Sequence, residues 1–102
     1  ANMPCTEEAI KLFNDKLVVV APSKAVNAGG VAVSALEMRQ NAGWDKWNFP
    51  QVDNKLRTIM KQIHVSCLKH SRKYGTEGDY TLGANAAGFL RVARAAIAHG
   101  II

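Results

Sequence analysis

The sequence predicts an α/β fragment, with one parallel strand at Leu17–Ala21 followed by a mostly α-helical carboxyl-terminal segment. Three observations carry this. Leu17-Val18-Val19-Val20-Ala21 is a continuous, largely β-branched run ended by Pro22, the pattern of a strand covered on both faces. Apolar residues from Val52 onward recur at helical spacing instead. No second run has comparable strand character, and Tyr80-Thr81-Leu82 is too short. A buried strand without neighbours leaves backbone donors and acceptors unpaired, so its partners are expected upstream of Ala1, in a larger α/β protein.

The elements follow in order. Thr6 reads as an N-cap with Glu7 and Glu8 in the first turn, and Ala9, Ile10 and Phe13 give a short apolar face, predicting a helix from about Thr6 to Asn14. The predicted strand comes next. After Gly29-Gly30, the residues Val31, Ala32, Ala35, Leu36 and Met38 suit about three helical turns ending near Asn41. Gly43, Trp44 and Trp47 form a connection. Asn48 with Gln51 resembles a capping box, with Pro50 tolerated in the first turn. Val52, Leu56, Ile59, Met60, Ile63 and Cys67 then predict a long helix to about Tyr74. Gly75–Asp79 is a polar break. An Ala-rich helix over 84–99 stops at Gly100.

At 102 residues, 48% of them hydrophobic, the chain suits one small packed domain rather than disorder. No apolar run is long enough to cross a bilayer, so no membrane partner is expected. Cys5 and Cys67 are too few for a disulfide framework, which points to a reducing, cytoplasmic setting. The formal charge of +5 raises nucleic acid as a partner, but the bases are scattered. Only Lys69, His70, Arg72 and Lys73 cluster, without the interleaved aromatics of a stacking platform, so they read as a solvated helix end and no nucleic acid is expected.

The stretch Pro22–Asn41 is the one candidate site. It lies where ligands meet α/β sheets, just past a strand's carboxyl end. Gly29 and Gly30 allow close backbone approach, Asn27 both donates and accepts, and Ser34 stands one turn into the expected helix. A plain connection in which Asn27 caps and Ser34 bonds back to a carbonyl accounts for the same residues. The order does not match a GxGxxG pyrophosphate loop. His64, Cys67 and His70 stand three apart on the long helix but lack a further ligand, so no metal is expected. No nucleophile–base pair or carboxylate pair can be assembled, and no catalytic residue is expected in this chain.

The segments ANMPCTEEA, VVAPSKAVNAGGVAVSALEM, VDNKLRTIMKQIH and GANAAGFLRVARAAIAHGII together resemble the carboxyl-terminal part of the hexameric glutamate dehydrogenases, NADP-type members of the Glu/Leu/Phe/Val dehydrogenase family. The resemblance runs through essentially the whole chain. It implies the end of a Rossmann-like dinucleotide-binding domain over 1–42, and helices over 43–102 that link back to an absent amino-terminal domain. It implies oxidative deamination of L-glutamate to 2-oxoglutarate and ammonia with NADP, NAD not being excluded, by a homohexamer. Asn2 and Asn27 correspond to cofactor-binding asparagines, and Val31 and Ser34 to substrate-binding residues, the serine hydroxyl meeting the side-chain carboxylate.

Ala35 departs from a glycine common after that serine, Ala86 from a larger apolar residue, and Ser71–Asp79 matches poorly. The family's catalytic lysine and aspartate and its pyrophosphate loop lie upstream, so the 102 residues alone are expected to be inactive. The alternative is an independent helical binding module whose basic end, Lys69 to Lys73, contacts an anionic partner.

Overall fold

The computed structural model describes all 102 residues, Ala1–Ile102. It contains four helices, α1 (Glu7–Asp15), α2 (Ser23–Gly43), α3 (Phe49–Tyr74) and α4 (Tyr80–Ala98), and no strand. The α/β expectation with a Rossmann-like strand at Leu17–Ala21 is therefore overturned. α1 begins as expected, with Thr6 Oγ1 accepting from Ala9 N–H at 3.2 Å. The chain then turns out of α1 through Leu17 in the left-handed region (φ 57°), with Leu17 N–H and Val18 N–H donating to Asn14 and Phe13 carbonyls. Beyond that turn the apolar run pairs with nothing. Leu17 is 92% exposed and Val19 81%. A strand is defined by its ladder, and no other segment of this chain offers an edge.

The second difference concerns α2. Its start is not past Gly29-Gly30 but at Ser23, directly after Pro22, whose φ of −65° suits the entry to a helix. Both glycines are helical. Gly29 is kept for packing, since a Cβ there would stand 3.3 Å from Met60 Sδ. The helix also runs past Asn41 to Gly43, where Trp44 closes it at φ 55°, an uncommon conformation for a bulky residue. Trp44 N–H and Asp45 N–H donate to the Asn41 and Gln40 carbonyls.

α3 forms as its periodicity dictates. Asn48 Oδ1 accepts from Gln51 N–H at 3.0 Å and Gln51 Oε1 accepts from Asn48 N–H at 2.8 Å, a complete capping box. α4 starts four residues before the expected Ala84, because Asp79 Oδ1 caps it through Leu82 N–H at 2.9 Å and draws Tyr80–Leu82 into its first turn. Gly100, at φ 73°, supplies the left-handed stop.

The core is a seam, not a centre. Cys67 and Ser71, one turn apart on α3, and Gly83 on α4 are the only buried residues. Ser71 Oγ is satisfied by donating to the Leu68 carbonyl at 2.9 Å. At Gly83 the two backbones come so close that a Cβ would stand 2.0 Å from the Cys67 carbonyl oxygen. α2 lies along the earlier half of α3, and α1 makes little contact with the rest. The accessible surface is 8079 Å², against about 5,700 Å² for a compact monomer of this mass. The radius of gyration is 16.4 Å, against about 13 Å for a compact chain of this length. Much apolar surface is left open.

Gly83→Ala is expected to lower unfolding stability by about 2 kcal/mol or more, because carbonyl and helix backbone must both move. A urea titration followed by circular dichroism reads this directly. A midpoint equal to that of the unsubstituted protein would mean that α4 does not cross α3 at Gly83.

Candidate functional site

α2 has two faces with different compositions. Ala25, Gly29, Ala32 and Leu36 share one side, half-buried, where Gly29 meets Met60 and Leu56 of α3. Asn27, Val31 and Ser34 stand at i, i+4 and i+7 on the opposite side, and all three are exposed. Only their helical spacing unites them. In the expected loop-then-helix arrangement Asn27 would lie in a turn. The continuous helix instead puts a carboxamide, a branched apolar side chain and a hydroxyl in one row. Asn27 and Ser34 are about 10 Å apart along the axis.

The same geometry corrects the electrostatics expected of Ser34. It is the twelfth residue of α2, far from the free amides of the first turn. Any anion it holds is held by its hydroxyl, without help from the helix terminus. The helix also removes Asn27 from a capping role, since the N-cap is Pro22 and brings no side-chain bond.

Asn2 stands apart from this row. It lies on the extended amino-terminal segment and lines a cleft of about 220 Å³ with Cys5, Pro22, Lys24, Thr81 and Asn85. The cleft opens beside the first turn of α2, one turn before Asn27. The structure thus joins Asn27, Val31 and Ser34 and leaves Asn2 at the start of the same helix. Lys24, Thr81 and Asn85 were not singled out from the sequence. Thr81 and Asn85 reach the cleft only through the docking of α4, for which no local pattern gives a signal.

Elsewhere the side chains serve the fold. His64 stacks on Tyr80 with centroids 5.4 Å apart. His70 Nδ1 lies 2.7 Å from the Ser66 carbonyl and its ring stacks on Tyr74 at 6.2 Å. The basic cluster is engaged locally: Arg72 pairs with Glu77, and Lys73 Nζ sits 5.2 Å from the Tyr74 ring centroid. Glu77 holds the Arg72 guanidinium ionised still more firmly than usual, by hydrogen bond and charge. A separate apolar cleft of about 270 Å³, lined by Val19, Val26, Met60, Ile63, Cys67 and Tyr80, contains none of the expected site residues. No group of three His, Cys, Asp or Glu residues could hold a metal ion, and no helix is long and apolar enough to cross a membrane.

The glutamate/leucine/phenylalanine/valine dehydrogenase family model matches residues 1–100. The chain is similar to the glutamate dehydrogenase of Bacteroides thetaiotaomicron, at 51% identity over all of this chain and 23% of that protein. It is 53% identical to the NAD-specific glutamate dehydrogenase of Bacteroides fragilis and 50% identical to the NADP-specific enzyme of Escherichia coli, again over all of this chain and 23% of each. Among solved structures, Plasmodium falciparum glutamate dehydrogenase superimposes with a TM-score of 0.89 at 47% identity, over 97% of this chain and 21% of that one. The chain spans about a quarter of the length of the relatives it matches.

The two cysteines should separate chemically. Cys5 is exposed, whereas Cys67 is buried at the α3–α4 seam, and burial pushes its thiol above its ordinary 9.0. A disulfide reagent at pH 8 is expected to modify Cys5 promptly and Cys67 only on addition of denaturant. The folded chain holds the Cys67 proton more tightly than the unfolded chain does. This contribution to stability is therefore intact below pH 9.0 and is lost as pH rises through the raised value. Two thiols modified at equal rates in the native protein would overturn this account of the seam.

Proposed function

The chain belongs to the glutamate/leucine/phenylalanine/valine dehydrogenase family, and we propose from this that it forms the carboxyl-terminal part of a glutamate dehydrogenase. The observation that carries the reading is identity of about one half over the whole chain to proteins that are all named glutamate dehydrogenases. Of the four substrates in the family's description, glutamate is the one whose side chain ends in a carboxylate. A row of Asn27, Val31 and Ser34 offers an amide, an apolar wall and a hydroxyl donor to such a molecule.

In this reading the reaction is the oxidative deamination of L-glutamate to 2-oxoglutarate and ammonia. A bound nicotinamide cofactor, NADP or NAD, would supply the hydride acceptor for the α-carbon, and water would supply the oxygen of the keto product. The residues of this chain bind and orient. Ser34 Oγ donates to the side-chain carboxylate, Val31 lies along the methylene groups, and the Asn27 carboxamide faces the nicotinamide end of the cofactor. Asn2, with donor and acceptor in the cleft that Lys24 and Thr81 also line, suits a ribose hydroxyl. The acid–base groups that move protons at the α-carbon are assigned to sequence outside these residues, since the row contains neither a base nor a carboxylate.

The domain arrangement follows the same reading. Residues 1–42 border the cofactor, and residues 43–102 are helices that return toward a substrate-facing domain. The large exposed apolar surface, including Met38, Phe89 and Val92 on two different helices, supports packing against further protein. A homohexamer in the cytoplasm completes the proposal.

Two measurements test it. The 102-residue chain alone is expected to give no glutamate-dependent reduction of NADP or NAD, and turnover that copurifies with it would place the chemistry here after all. In the full-length protein that carries this segment, Ser34→Ala is expected to raise KM for glutamate far more than KM for cofactor. The loss corresponds to a hydrogen bond to a charged group, about 1.5–3 kcal/mol. An unchanged glutamate KM with weakened cofactor binding would assign Ser34 to the other ligand.

A further inference from the structure

A groove of about 550 Å³ runs between α2 and α4, beside Ile63 and Cys67 of α3. Most of its lining is apolar, with Ala28, Ile63 and Phe89 among the side chains, and Phe89 is 71% exposed. Two cations from helices far apart in sequence stand along it, Lys24 of α2 and Arg91 of α4. No aspartate or glutamate lines it. By contrast, the cleft beside Val26, Met60 and Tyr80 contains neither lysine nor arginine.

Neither charge is answered within the chain. The ion pairs are Arg57–Asp53 and Arg72–Glu77, and Lys24 and Arg91 belong to neither. Glu7 lines the adjoining cleft with Lys24 but forms no ion pair with it. Lys24 is also the second residue of α2, at the positive end of the helix dipole, where the first turn carries no acid. A cation is unfavourable there unless an anion joins it. Two neutral donors line the same groove, the Asn85 carboxamide and Ser66 Oγ, the latter no closer than 3.4 Å to His70 Nδ1.

We infer that this groove binds an organic anion, with a carboxylate or phosphate head on Lys24 and Arg91 and an apolar body along Ala28, Ile63 and Phe89. Lysine meets such a head as a point charge, and arginine as a planar fork of donors. Both side chains are exposed and long enough to swing over the groove. The apolar lining selects an amphiphile over a bare inorganic ion, since each methylene taken from water adds about fourfold in affinity. None of Asn27, Val31 and Ser34 lines the groove, so the inference does not rest on their assignment.

The experiment is calorimetric titration of octanoate, 1-octanol and inorganic phosphate into the full-length protein that carries this segment. Glutamate and NADPH are present in excess, a pair that does not turn over and that fills the pockets proposed above. Octanoate is expected to bind at one site per chain, with 1-octanol and phosphate each weaker by about tenfold or more. Lys24→Gln and Arg91→Gln should each weaken octanoate about threefold or more, and together about tenfold or more. Lys69→Gln, which removes a charge elsewhere, should leave it unchanged. Without ligand, Lys24→Gln should leave the melting temperature unchanged or raised, because it removes a cation from the positive end of a helix. Four binding results would overturn the inference: no binding of octanoate, equally tight 1-octanol, an affinity untouched by the double variant, or binding seen only when glutamate and NADPH are omitted. So would a fall in melting temperature for either variant without ligand, since carboxylates of the rest of the protein would then already hold these cations.

Discussion

The approach of α4 to α3 at Gly83 is the constraint on which the arrangement depends. Helices come this close only where one of them carries no side chain, and here a Cβ would stand 2.0 Å from a carbonyl oxygen of the other. The small residues Cys67 and Ser71 form the receiving surface, and all three positions are dry. That contact fixes the start of α4, and through it the position of Thr81 and Asn85 beside the amino-terminal segment. The cleft bordering Asn2 therefore depends on a glycine far along the chain. Gly75, at the preceding turn, adds to the crowding, since a Cβ there would stand 2.1 Å from the Leu82 side chain.

α2 is held differently. It rests on the earlier half of α3 through Gly29, against Met60 and Leu56, and no side-chain hydrogen bond or ion pair links the two helices. Such a contact is non-directional and modest in area. Its effect on function is orientation: with Gly29 turned to α3, helical geometry turns Asn27, Gly30, Val31 and Ser34 away from it. Packing on one side of α2 thus decides which residues are free to meet a ligand on the other.

The open apolar surface has a similar origin. Three buried residues leave most of the apolar surface of the 102 uncovered. Helices of this length need their apolar faces covered by tertiary packing. The run Leu17–Val20, the outer side of α2 and the later half of α4 are faces with no partner within the chain. The chain that leaves them open spans about a quarter of the length of the relatives it matches.

What the sequence determined by itself is local and cooperative: the Thr6 cap, the Asn48–Gln51 capping box, the long apolar stripe of α3 and the stop at Gly100. Each is set by residues within a few positions of one another, so each is readable without knowing what lies across the fold. The family was legible too, because Asn27, Val31 and Ser34 sit in a specific order. Three features differ from what the local pattern suggests, and two of them turn on tertiary structure alone. The β-branched run at Leu17–Ala21 has strand propensity, but a strand is completed by neighbours, and this chain offers none. Gly29 and Gly30 look like a loop, yet both are helical, and Gly29 packs on α3 where a Cβ would stand 3.3 Å from Met60 Sδ. Tyr80–Leu82 joins α4 because Asp79 caps it and Gly83 must dock immediately afterwards. What lies outside the segment, a missing ladder partner for the first and a packed neighbour helix for the second, bears on two of the three, whereas the Asp79 cap at 2.9 Å is itself a local interaction.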